Sequence, residues 1–272
     1  MPVEDGSHRS RTETRPPASH VQGEPAEASG VAGGQGMNPA VRLRGVAKTY
    51  GKGELAVHAL EDVDLEVATG ELVVMLGPSG SGKTTLLNLI GGIEPPSTGE
   101  VVVGGNDVSA LDEEGRTAFR RRTVGFIFQF FNLIPTLTAV ENVELVAELG
   151  GDGSHERSVE MLSRVGLGDR LDSFPAQLSG GQQQRVAVAR ALTGSPEVLL
   201  GDEPTGALDL ETGRTVLALL RQVNREADQT VLLVTHNAEI ARMADRVLHL
   251  RDGRIVDDAR QHSPVDPMRL DW

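Results

Sequence analysis

The spacing of apolar residues separates two kinds of predicted strand. Residues 41–50 and 60–70 alternate apolar with polar positions, as strands with one buried face do. Residues 71–77, 197–204 and 230–236 instead contain nearly continuous apolar runs, which are typical of strands covered on both faces. The chain therefore combines half-buried strands with fully buried ones.

Apolar residues at helical spacing occupy much of the chain between these strands. Helices are predicted over four segments: 84–93, 139–170 with a break at GGDGS, 185–194 and 214–227. In the last of them, Arg221 and Arg225 are assigned to the polar face. Residues 246–258 predict a hairpin that turns at Asp252 and Gly253. Strands that alternate with helices predict an α/β fold with a mainly parallel central sheet.

The two ends of the chain lack such periodicity. Residues 1–39 are rich in Pro, Gly, Ala, Ser, Glu and Arg, a composition that predicts a disordered tail. Residues 258–272 are predicted to form a second tail, because Pro264 and Pro267 interrupt regular structure. One domain is therefore expected over residues 40–257.

The composition limits the kinds of partner that the chain can bind. Its 39 acidic and 26 basic residues give a formal net charge of −13, which argues against broad binding to nucleic acid phosphates. Cysteine is absent, which excludes disulfides and thiolate zinc sites. No run approaches the ~20 apolar residues that span a bilayer, and the N-terminus lacks the apolar core of a secretory signal. A role at a membrane is therefore expected to need a membrane-embedded partner.

A glycine-rich loop follows the apolar run at 71–77 and opens the helix predicted over 84–93. It fits G-x-x-x-x-G-K-[ST], a pattern in which glycines let successive backbone N–H groups point at an anion beside a helix N-terminus. Lys83 would reach the β- and γ-phosphates of ATP, and Thr84 would offer its hydroxyl to Mg²⁺. The predicted nucleotide-binding loop consists of Gly77, Pro78, Ser79, Gly80, Ser81, Gly82, Lys83, Thr84 and Thr85.

Two acidic residues end the apolar run at 197–204. Asp202 is a candidate to hold Mg²⁺ through water, and Glu203 is a candidate to orient or deprotonate the attacking water. Ligands of α/β proteins bind at the carboxyl ends of parallel strands, where these residues are expected to lie. Together with the glycine-rich loop, they predict hydrolysis of a nucleoside triphosphate.

A second glycine-rich turn opens the helix near residue 185. Its residues Ser179, Gly180, Gly181 and Gln182 predict another anion site at a helix N-terminus. One chain would then have two phosphate-binding ends but a single phosphate-binding lysine. A symmetric dimer, with each nucleotide held between the first loop of one chain and the second loop of the other, is the economical interpretation.

These motifs resemble those of the ABC ATPases, whose signature is LSGGQ. Further positions match that family in the same order along the chain. Tyr50 stands where the family carries an aromatic residue that stacks on adenine. Gln129 matches the Q-loop, Asp209 the D-loop and His236 the switch histidine, and all of these are implied to bind or sense the nucleotide.

The resemblance covers roughly residues 41–257. Its finer match, in LLNLIGGIEPPSTGEV and LSGGQQQRVAVARAL, is to ATPases of the lipoprotein-release and macrolide-export type. It implies the P-loop NTPase (ABC ATPase) fold, with a mainly parallel central sheet, an antiparallel β subdomain and a helical subdomain inserted at about 130–185.

The resemblance also implies a mechanism and its partners. Two ATP molecules with Mg²⁺ would close a homodimer, and hydrolysis would drive a separate membrane permease from the cytoplasmic face. Glu203 would be the general base, His236 would contact the γ-phosphate, and Gln129 would sense Mg²⁺ and the attacking water. Ser179 of the partner subunit and Gly181 of the partner subunit would reach the γ-phosphate from the far side.

The sequence argues against one alternative to transport and leaves another open. A DNA-repair or translation protein is disfavoured, because no long heptad stretch separates Lys83 from Ser179 and only one cassette is present. A complex that signals to or regulates cell-envelope enzymes, without transport, remains open. The cargo also remains open among lipoprotein, lipid, macrolide and peptide.

The stretch FIFQFFNLIPTLT (126–138) holds four of the six Phe of the chain. Strand alternation assigns Phe126 and Phe128 to the core, with Gln129 facing nucleotide and metal. Beyond it, an apolar patch is expected to receive a short helix of the permease. The residues of that expected contact are Phe130, Phe131, Leu133 and Ile134.

Overall fold

The computed structural model describes residues 39–150 and 154–272, so the predicted tail over 1–39 lies outside them except for its last residue. The described residues form ten strands and seven α-helices. The strands are β1 (Val41–Tyr50), β2 (Val57–Val67), β3 (Leu72–Leu76), β4 (Thr98–Val103), β5 (Asn106–Asp107), β6 (Val124–Phe128), β7 (Val198–Asp202), β8 (Thr230–Thr235), β9 (Arg246–Arg251) and β10 (Arg254–Arg260). The helices are α1 (Lys83–Ile90), α2 (Glu113–Thr123), α3 (Ala139–Gly150), α4 (His155–Arg164), α5 (Gly180–Leu192), α6 (Leu210–Glu226) and α7 (Ala238–Ala241).

The half-buried strands form a four-stranded antiparallel sheet with the order β2-β1-β4-β5. In β1, Val41, Leu43 and Val46 are buried, whereas Arg44 between them is exposed. This alternation is what the sequence predicts, and it confirms an antiparallel β subdomain beside the main sheet.

The fully buried strands lie in a six-stranded sheet with the order β10-β9-β3-β8-β7-β6. Five of the strands run parallel, and only β10 is antiparallel to its neighbour. The hairpin between β9 and β10 turns at Asp252 and Gly253, whose φ angles of 49° and 74° match a tight turn with two left-handed residues. The mainly parallel central sheet and the hairpin are therefore confirmed.

Strand β3 shows why a continuous apolar run was needed at the centre of this sheet. Leu72, Val74 and Leu76 point into a core shared with helices α3 to α6. Val73 and Met75 point into a second core shared with α1 and the antiparallel sheet. Both faces are thus covered, so a polar side chain at any position of β3 would lie in an apolar core.

The amphipathic helix α6 differs from the prediction at one position. Arg221, assigned to the polar face, is 8% exposed and donates two hydrogen bonds to Asp245, at 2.6 and 2.8 Å. Arg225 is exposed as predicted. A long side chain can bury its stem on apolar surface while its charge finds a partner, which helical periodicity alone does not reveal. Across residues 39–150 and 154–272, no helix is long and apolar enough to cross a membrane.

Residues 258–272, predicted as a tail, lie against the body of the protein. Strand β10 extends to Arg260, and Leu270 is fully buried in the core beside α6. The Arg214 Nε atom donates to the Leu270 carbonyl at 2.5 Å. Single apolar anchors between prolines leave no periodic pattern, so the sequence gives no signal of this packing.

Candidate functional site

Four neighbouring strands end at one edge of the six-stranded sheet, and a predicted site residue follows each. In register, Phe128 of β6 pairs with Asp202 of β7, and Asp202 pairs with Val234 of β8. The cleft above these ends has a volume of about 620 Å³, within the range of small-molecule sites. It is lined by Tyr50, Val57, His58, Ala59, Ser79, Gly80, Gly82, Lys83, Thr84, Thr85, Gln129, Asp202, Glu203, Val234 and His236.

The glycine-rich loop joins β3 to α1 at the centre of this cleft. Gly82 has a φ of 103°, and a Cβ there would lie 2.5 Å from the Ala59 carbonyl, so only glycine fits. Gly82 provides no side-chain cap, which leaves the first N–H groups of α1 free for an anion. The Lys83 Nζ atom donates to the carbonyls of Gly77 at 2.8 Å and Pro78 at 3.0 Å.

One predicted residue of this loop, Ser81, does not line the cleft. The Ser81 Oγ atom is buried and has no hydrogen-bond partner among the described residues. Ser81 is absent from the residues that line the cleft, so this side chain is not a phosphate ligand in this geometry. The fit of the loop to a bound nucleoside triphosphate therefore rests on its glycines, on the uncapped helix and on Lys83.

The oxygen atoms needed for Mg²⁺ lie beside the loop. The Thr84 Oγ1 atom donates to Asp202 Oδ2 at 3.1 Å, and the side chain of Gln129 lines the same cleft. Within the described part of the chain, no group of three His, Cys, Asp or Glu residues could hold a metal. Hydroxyl, carboxylate and amide oxygens suit Mg²⁺, which usually takes its remaining ligands from phosphate and water.

The environment of Asp202 alters its protonation. Burial raises the pKa of Asp202, the negative charge of Glu203 raises it further, and Thr84 and Lys83 oppose the change without cancelling it. A cation placed at Thr84 and Asp202 would favour the charged form of this carboxyl.

Glu203 is held rigidly at the end of β7. Its φ is 48°, a left-handed value that is uncommon outside glycine and that concentrates at functional sites. The Oε1 atom accepts from the backbone N–H of His236 at 2.9 Å and lies 2.7 Å from His236 Nδ1. The Oε2 atom accepts from Thr235 Oγ1 at 3.0 Å. The candidate base and the switch histidine are thus in direct contact.

Tyr50 stands at the rim of the cleft with 40% of its surface exposed. Its hydroxyl donates to Glu94 Oε1 at 2.6 Å, and the Lys48 Nζ atom lies 5.1 Å from the ring centroid. Burial raises the pKa of the Tyr50 hydroxyl, and the hydrogen bond to Glu94 adds to this. The ring is therefore fixed with one part open, as a stacking platform for a base requires.

The second glycine-rich turn does not reach this cleft. Ser179 and Gln182 cap α5 reciprocally: Ser179 N donates to Gln182 Oε1 at 2.8 Å, and Gln182 N donates to Ser179 Oγ at 3.3 Å. A Cβ on Gly181 would lie 2.0 Å from Thr212 Cγ2, so the turn packs directly on α6. This turn lines a separate cleft with Arg185, Glu211, Thr212, Thr215 and Val216.

Asp209 caps the helix next to that second cleft. It accepts from Thr212 N at 3.0 Å and from Thr212 Oγ1 at 2.8 Å, and these bonds lower the pKa of Asp209. Gly180 also lies in this region, next to the ring of Phe131. The structure therefore brings the first loop, Gln129, Asp202, Glu203, His236 and Tyr50 together, and leaves Ser179–Gln182 and Asp209 apart from them.

The stretch FIFQFFNLIPTLT differs from a continuous strand. Strand β6 ends at Phe128, and Phe131 has a left-handed φ of 55°, so the predicted alternation does not extend to it. Arg190 stabilises this bend by donating to the Phe131 carbonyl at 2.8 Å. Phe126 and Phe128, predicted as core, are only partly buried, and their rings stack with centroids 5.6 Å apart.

Those two rings line an apolar groove of about 310 Å³ between α2, β6, α3 and α5. Of the four residues expected to contact a permease, Ile134 lines the groove and Phe130 is 73% exposed. Leu133 instead packs on the main core, and Phe131 faces Gly180.

Three residues that hold parts of the site in place were not found from the sequence, and neither were the lining residues Val57, His58, Ala59 and Val234. Thr235 holds Glu203, and its place at the end of an apolar strand could have suggested it. Lys48 and Glu94 hold the ring of Tyr50 and pair at 2.8 Å. They come from distant segments of the chain, and no local pattern links them.

Comparison with known proteins agrees with this geometry. The family model described as "ABC transporter" matches residues 60–206. The macrolide export ATP-binding/permease protein MacB of Brucella melitensis is 46% identical over 232 residues, which cover 83% of this chain and 36% of that protein. This chain therefore spans about a third of the length of that relative.

A shorter relative, matched both by its sequence and by its solved structure, is covered over nearly its whole length. An ABC transporter ATP-binding protein of Methanocaldococcus jannaschii, MJ0796, is 46% identical over 222 residues, covering 79% of this chain and 94% of that protein. A solved dimer of the MJ0796 cassette, described as a post-hydrolysis state bound to ADP and Pi, aligns with a TM-score of 0.76 at 43% identity. It covers 82% of this chain and 99% of that chain. On this geometry and these matches, the chain belongs to the ABC transporter family as an ATP-hydrolysing, ATP-binding cassette.

Proposed function

We propose that this chain is the ATPase subunit of an ABC transporter, that ATP closes it into a homodimer, and that it drives a separate membrane permease. The observation that carries the proposal is the separation of the two phosphate-binding loops. The loop at Lys83 lines one cleft and the turn at Ser179 lines another, with no residue common to both.

The separate clefts each lack what the other has. The cleft at Lys83 has the metal ligands and the base but is open on one side. The turn at Ser179 presents a helix N-terminus with no lysine beside it. A two-fold axis would bring each turn over the opposite cleft and enclose two nucleotides. The solved structure of the MJ0796 cassette, described as a dimer bound to ADP and Pi, supports a nucleotide-bound dimer.

The residues of the closed site have distinct roles in this proposal. Lys83 and the N–H groups of α1 bind the phosphates, and Thr84, Gln129 and Asp202 would hold Mg²⁺, which neutralises phosphate charge when bound. Glu203 accepts a proton from the attacking water, and His236 fixes the orientation of that carboxylate. Tyr50 carries the adenine.

The apolar groove is the proposed docking site for the permease. It is lined by Phe126, Phe128, Ile134, Leu145 and Val146, together with arginines of α2 and α5. A short amphipathic helix of a membrane subunit would bury its apolar side there. In this proposal the chain works at the cytoplasmic face of a membrane, where its partner holds it.

Export is the proposed direction, and the similarity to MacB supports it. A macrolide, lipoprotein, lipid or peptide would be handled by the permease. The chain itself supplies the hydrolysis cycle.

Size measurement with a hydrolysis-deficient variant tests the dimer. Glu203→Gln should bind ATP and Mg²⁺, fail to hydrolyse ATP, and elute as a dimer. Adding Ser179→Arg should return it to a monomer that still binds ATP, because Lys83 is untouched.

Ser154→Arg is the matched control, since Ser154 is likewise an exposed helix N-cap that accepts from a backbone N–H. It should leave the dimer intact. A Glu203→Gln chain that stays monomeric with ATP, or a Ser179→Arg chain that still dimerises, would contradict the proposal.

A further inference from the structure

Gln184 is a buried polar residue of α5 that the proposed mechanism does not use. It is 0% exposed, and its Nε2 atom donates to two backbone carbonyls. One is Pro204 O at 2.7 Å, and the other is Phe128 O at 3.3 Å. Phe128 directly precedes Gln129, and Pro204 directly follows Glu203. The side chain therefore joins the two strand ends that carry the metal sensor and the base.

The same amide is incompletely satisfied. The Oε1 atom of Gln184 is buried and has no hydrogen-bond partner within residues 39–150 and 154–272. A buried acceptor without a partner destabilises the fold, so stability alone does not account for an amide here. The amide nitrogen donates to one carbonyl in each of the two loops of the site and so links them.

A second contact shows that these loops are closely fitted. Gly206 N donates to Glu203 O at 3.0 Å, and a Cβ on Gly206 would lie 2.9 Å from Gln129 Nε2. The segment after Glu203 thus touches the side chain of Gln129. A small shift of Pro204 against Phe128 would change the distance between the base and the sensor.

We propose that Gln184 is a positioning residue for ATP hydrolysis. Its amide fixes the chain after Glu203 against the chain before Gln129, and it links both to the helix that begins at Ser179. A movement of α5 when Ser179 meets a nucleotide would then reach the base and the sensor together. The positioning role rests on the proposed ATPase function, its link to Ser179 rests on the proposed dimer, and neither depends on a particular cargo or permease.

Replacement by an apolar residue of similar length tests the proposal. Gln184→Met should lower kcat by about 10- to 100-fold, because small misplacements of catalytic groups reduce rates by that order. The affinity for ATP without hydrolysis should change little, because no phosphate contact is removed. The measurements are steady-state ATPase activity and nucleotide binding on the purified chain.

Asn224 offers a matched control far from the site. It is 3% exposed, and its Nδ2 atom also donates to two carbonyls, Gly70 O at 2.8 Å and Gln229 O at 2.7 Å. Asn224→Leu and Gln184→Met should both lower Tm by several degrees. Only Gln184→Met should lower kcat, measured well below either Tm.

Two further variants show whether Gln184 acts through Gln129. In combination with Gln129→Ala, the loss caused by Gln184→Met should be much smaller than in the wild-type background, because coupled residues are not additive. Gln184→Glu keeps the size and, when protonated, can donate to Pro204 O. Burial raises the pKa of a carboxyl, so its kcat relative to wild type should increase as the pH is lowered.

The outcomes separate this proposal from the general function. A kcat for Gln184→Met within about twofold of wild type would overturn the positioning role, and fully additive losses with Gln129→Ala would overturn its action through Gln129. Should Gln184→Met not fold, Gln184→Glu decides: a relative kcat that does not change with pH would overturn it. If instead the wild-type chain does not hydrolyse ATP, the broader proposal fails.

Discussion

His236 contacts Glu203 through both its backbone and its ring. The Oε1 atom of Glu203 accepts from His236 N at 2.9 Å and lies 2.7 Å from Nδ1, while Oε2 accepts from Thr235 Oγ1 at 3.0 Å. The contact with Nδ1 leaves Nε2 at the far side of the ring. One strand end, that of β8, therefore fixes the candidate base of its neighbour β7.

Removal of the imidazole should slow hydrolysis without preventing ATP binding. His236→Ala should lower kcat by about 10²- to 10³-fold, which is within the range for groups that assist proton transfer. The backbone bond to Glu203 would remain, so the loss should be smaller than for Glu203→Gln. Steady-state ATPase activity and fluorescent-nucleotide binding check this. Loss of ATP affinity in parallel with kcat would mean that His236 binds the ground state instead.

Thr235→Val separates the two oxygens of the carboxylate. It removes the bond to Oε2 and leaves both contacts of Oε1. We expect a kcat loss of about tenfold or less, since hydrogen bonds to a charged group contribute about 1.5–3 kcal/mol and part of this is recovered by water. A loss as large as that of His236→Ala would show that Oε2 is the more important atom.

The raised pKa of Asp202 predicts that replacing this residue increases the stability of the fold and abolishes activity. Burial, with Glu203 beside it, makes the folded chain hold this proton more tightly than the unfolded chain. The stability of the fold therefore falls as the pH rises from the ordinary Asp value through the raised one. Asp202→Asn should be more stable than wild type at neutral pH without Mg²⁺, and the difference should shrink toward about pH 4. Its Mg²⁺-dependent hydrolysis should be lost; thermal unfolding and ATPase assays measure the two effects.

The main sheet could be predicted because each central strand is a run of buried residues, and its catalytic residue comes directly after the run. Glu203 was predicted from its place after such a run, whereas His236 was implied by the resemblance to the ABC ATPases and only supported by its place after an apolar strand. What the sequence could not predict depends on contacts between distant segments. Arg221 has the periodicity of a surface residue but meets Asp245. Phe131 lies beyond β6 with a left-handed φ, and its carbonyl accepts a hydrogen bond from the distant Arg190.

The ion pair between Arg221 and Asp245 should contribute to stability in a pH-dependent way. Burial alone would raise the pKa of Asp245, but hydrogen bonds from Arg221 and from Leu72 N outweigh it and lower the pKa. The pair stabilises the fold above the ordinary Asp pKa, and this contribution is lost as the pH falls through the lowered value. Arg221→Met should destabilise the chain by about 2–3 kcal/mol, a figure reduced because the Asp245 side chain is 35% exposed.

Arg225→Met is the control for that measurement, because Arg225 lies on the same helix and is exposed. Denaturant unfolding at neutral pH should show a change within about 0.5 kcal/mol for Arg225→Met. Equal effects of the two substitutions would remove the special role of Arg221.

The packed end of the chain predicts a stability effect that a free tail would not show. Leu270 is fully buried beside α6, whereas Met268 is 50% exposed. Leu270→Ala should destabilise the fold by about 2–5 kcal/mol, as for other buried leucines. Met268→Ala should change stability by less than about 1 kcal/mol. Thermal or denaturant unfolding distinguishes them, and similar values for both would mean that this segment is loosely held in solution.

The apolar groove predicts how the ATPase and its membrane partner can be uncoupled. Leu145 of α3 lines the groove and is 37% exposed, while Leu149 of the same helix is 52% exposed and lies outside it. Leu145→Arg should abolish stimulation of ATPase activity by the permease and leave basal activity unchanged, because an arginine there would block an entering helix and would touch no nucleotide ligand. Leu149→Arg should preserve stimulation.

Phe131→Ala gives a different result in this assay. Its ring faces Gly180 rather than the groove, so the substitution should reduce basal activity as well as stimulated activity. The measurement compares both rates for the three variants in membranes that contain the permease. Full stimulation of Leu145→Arg by the permease would place the permease contact elsewhere. The exposed ring of Phe130, which the sequence also predicts to contact the permease, would then be the next residue to test.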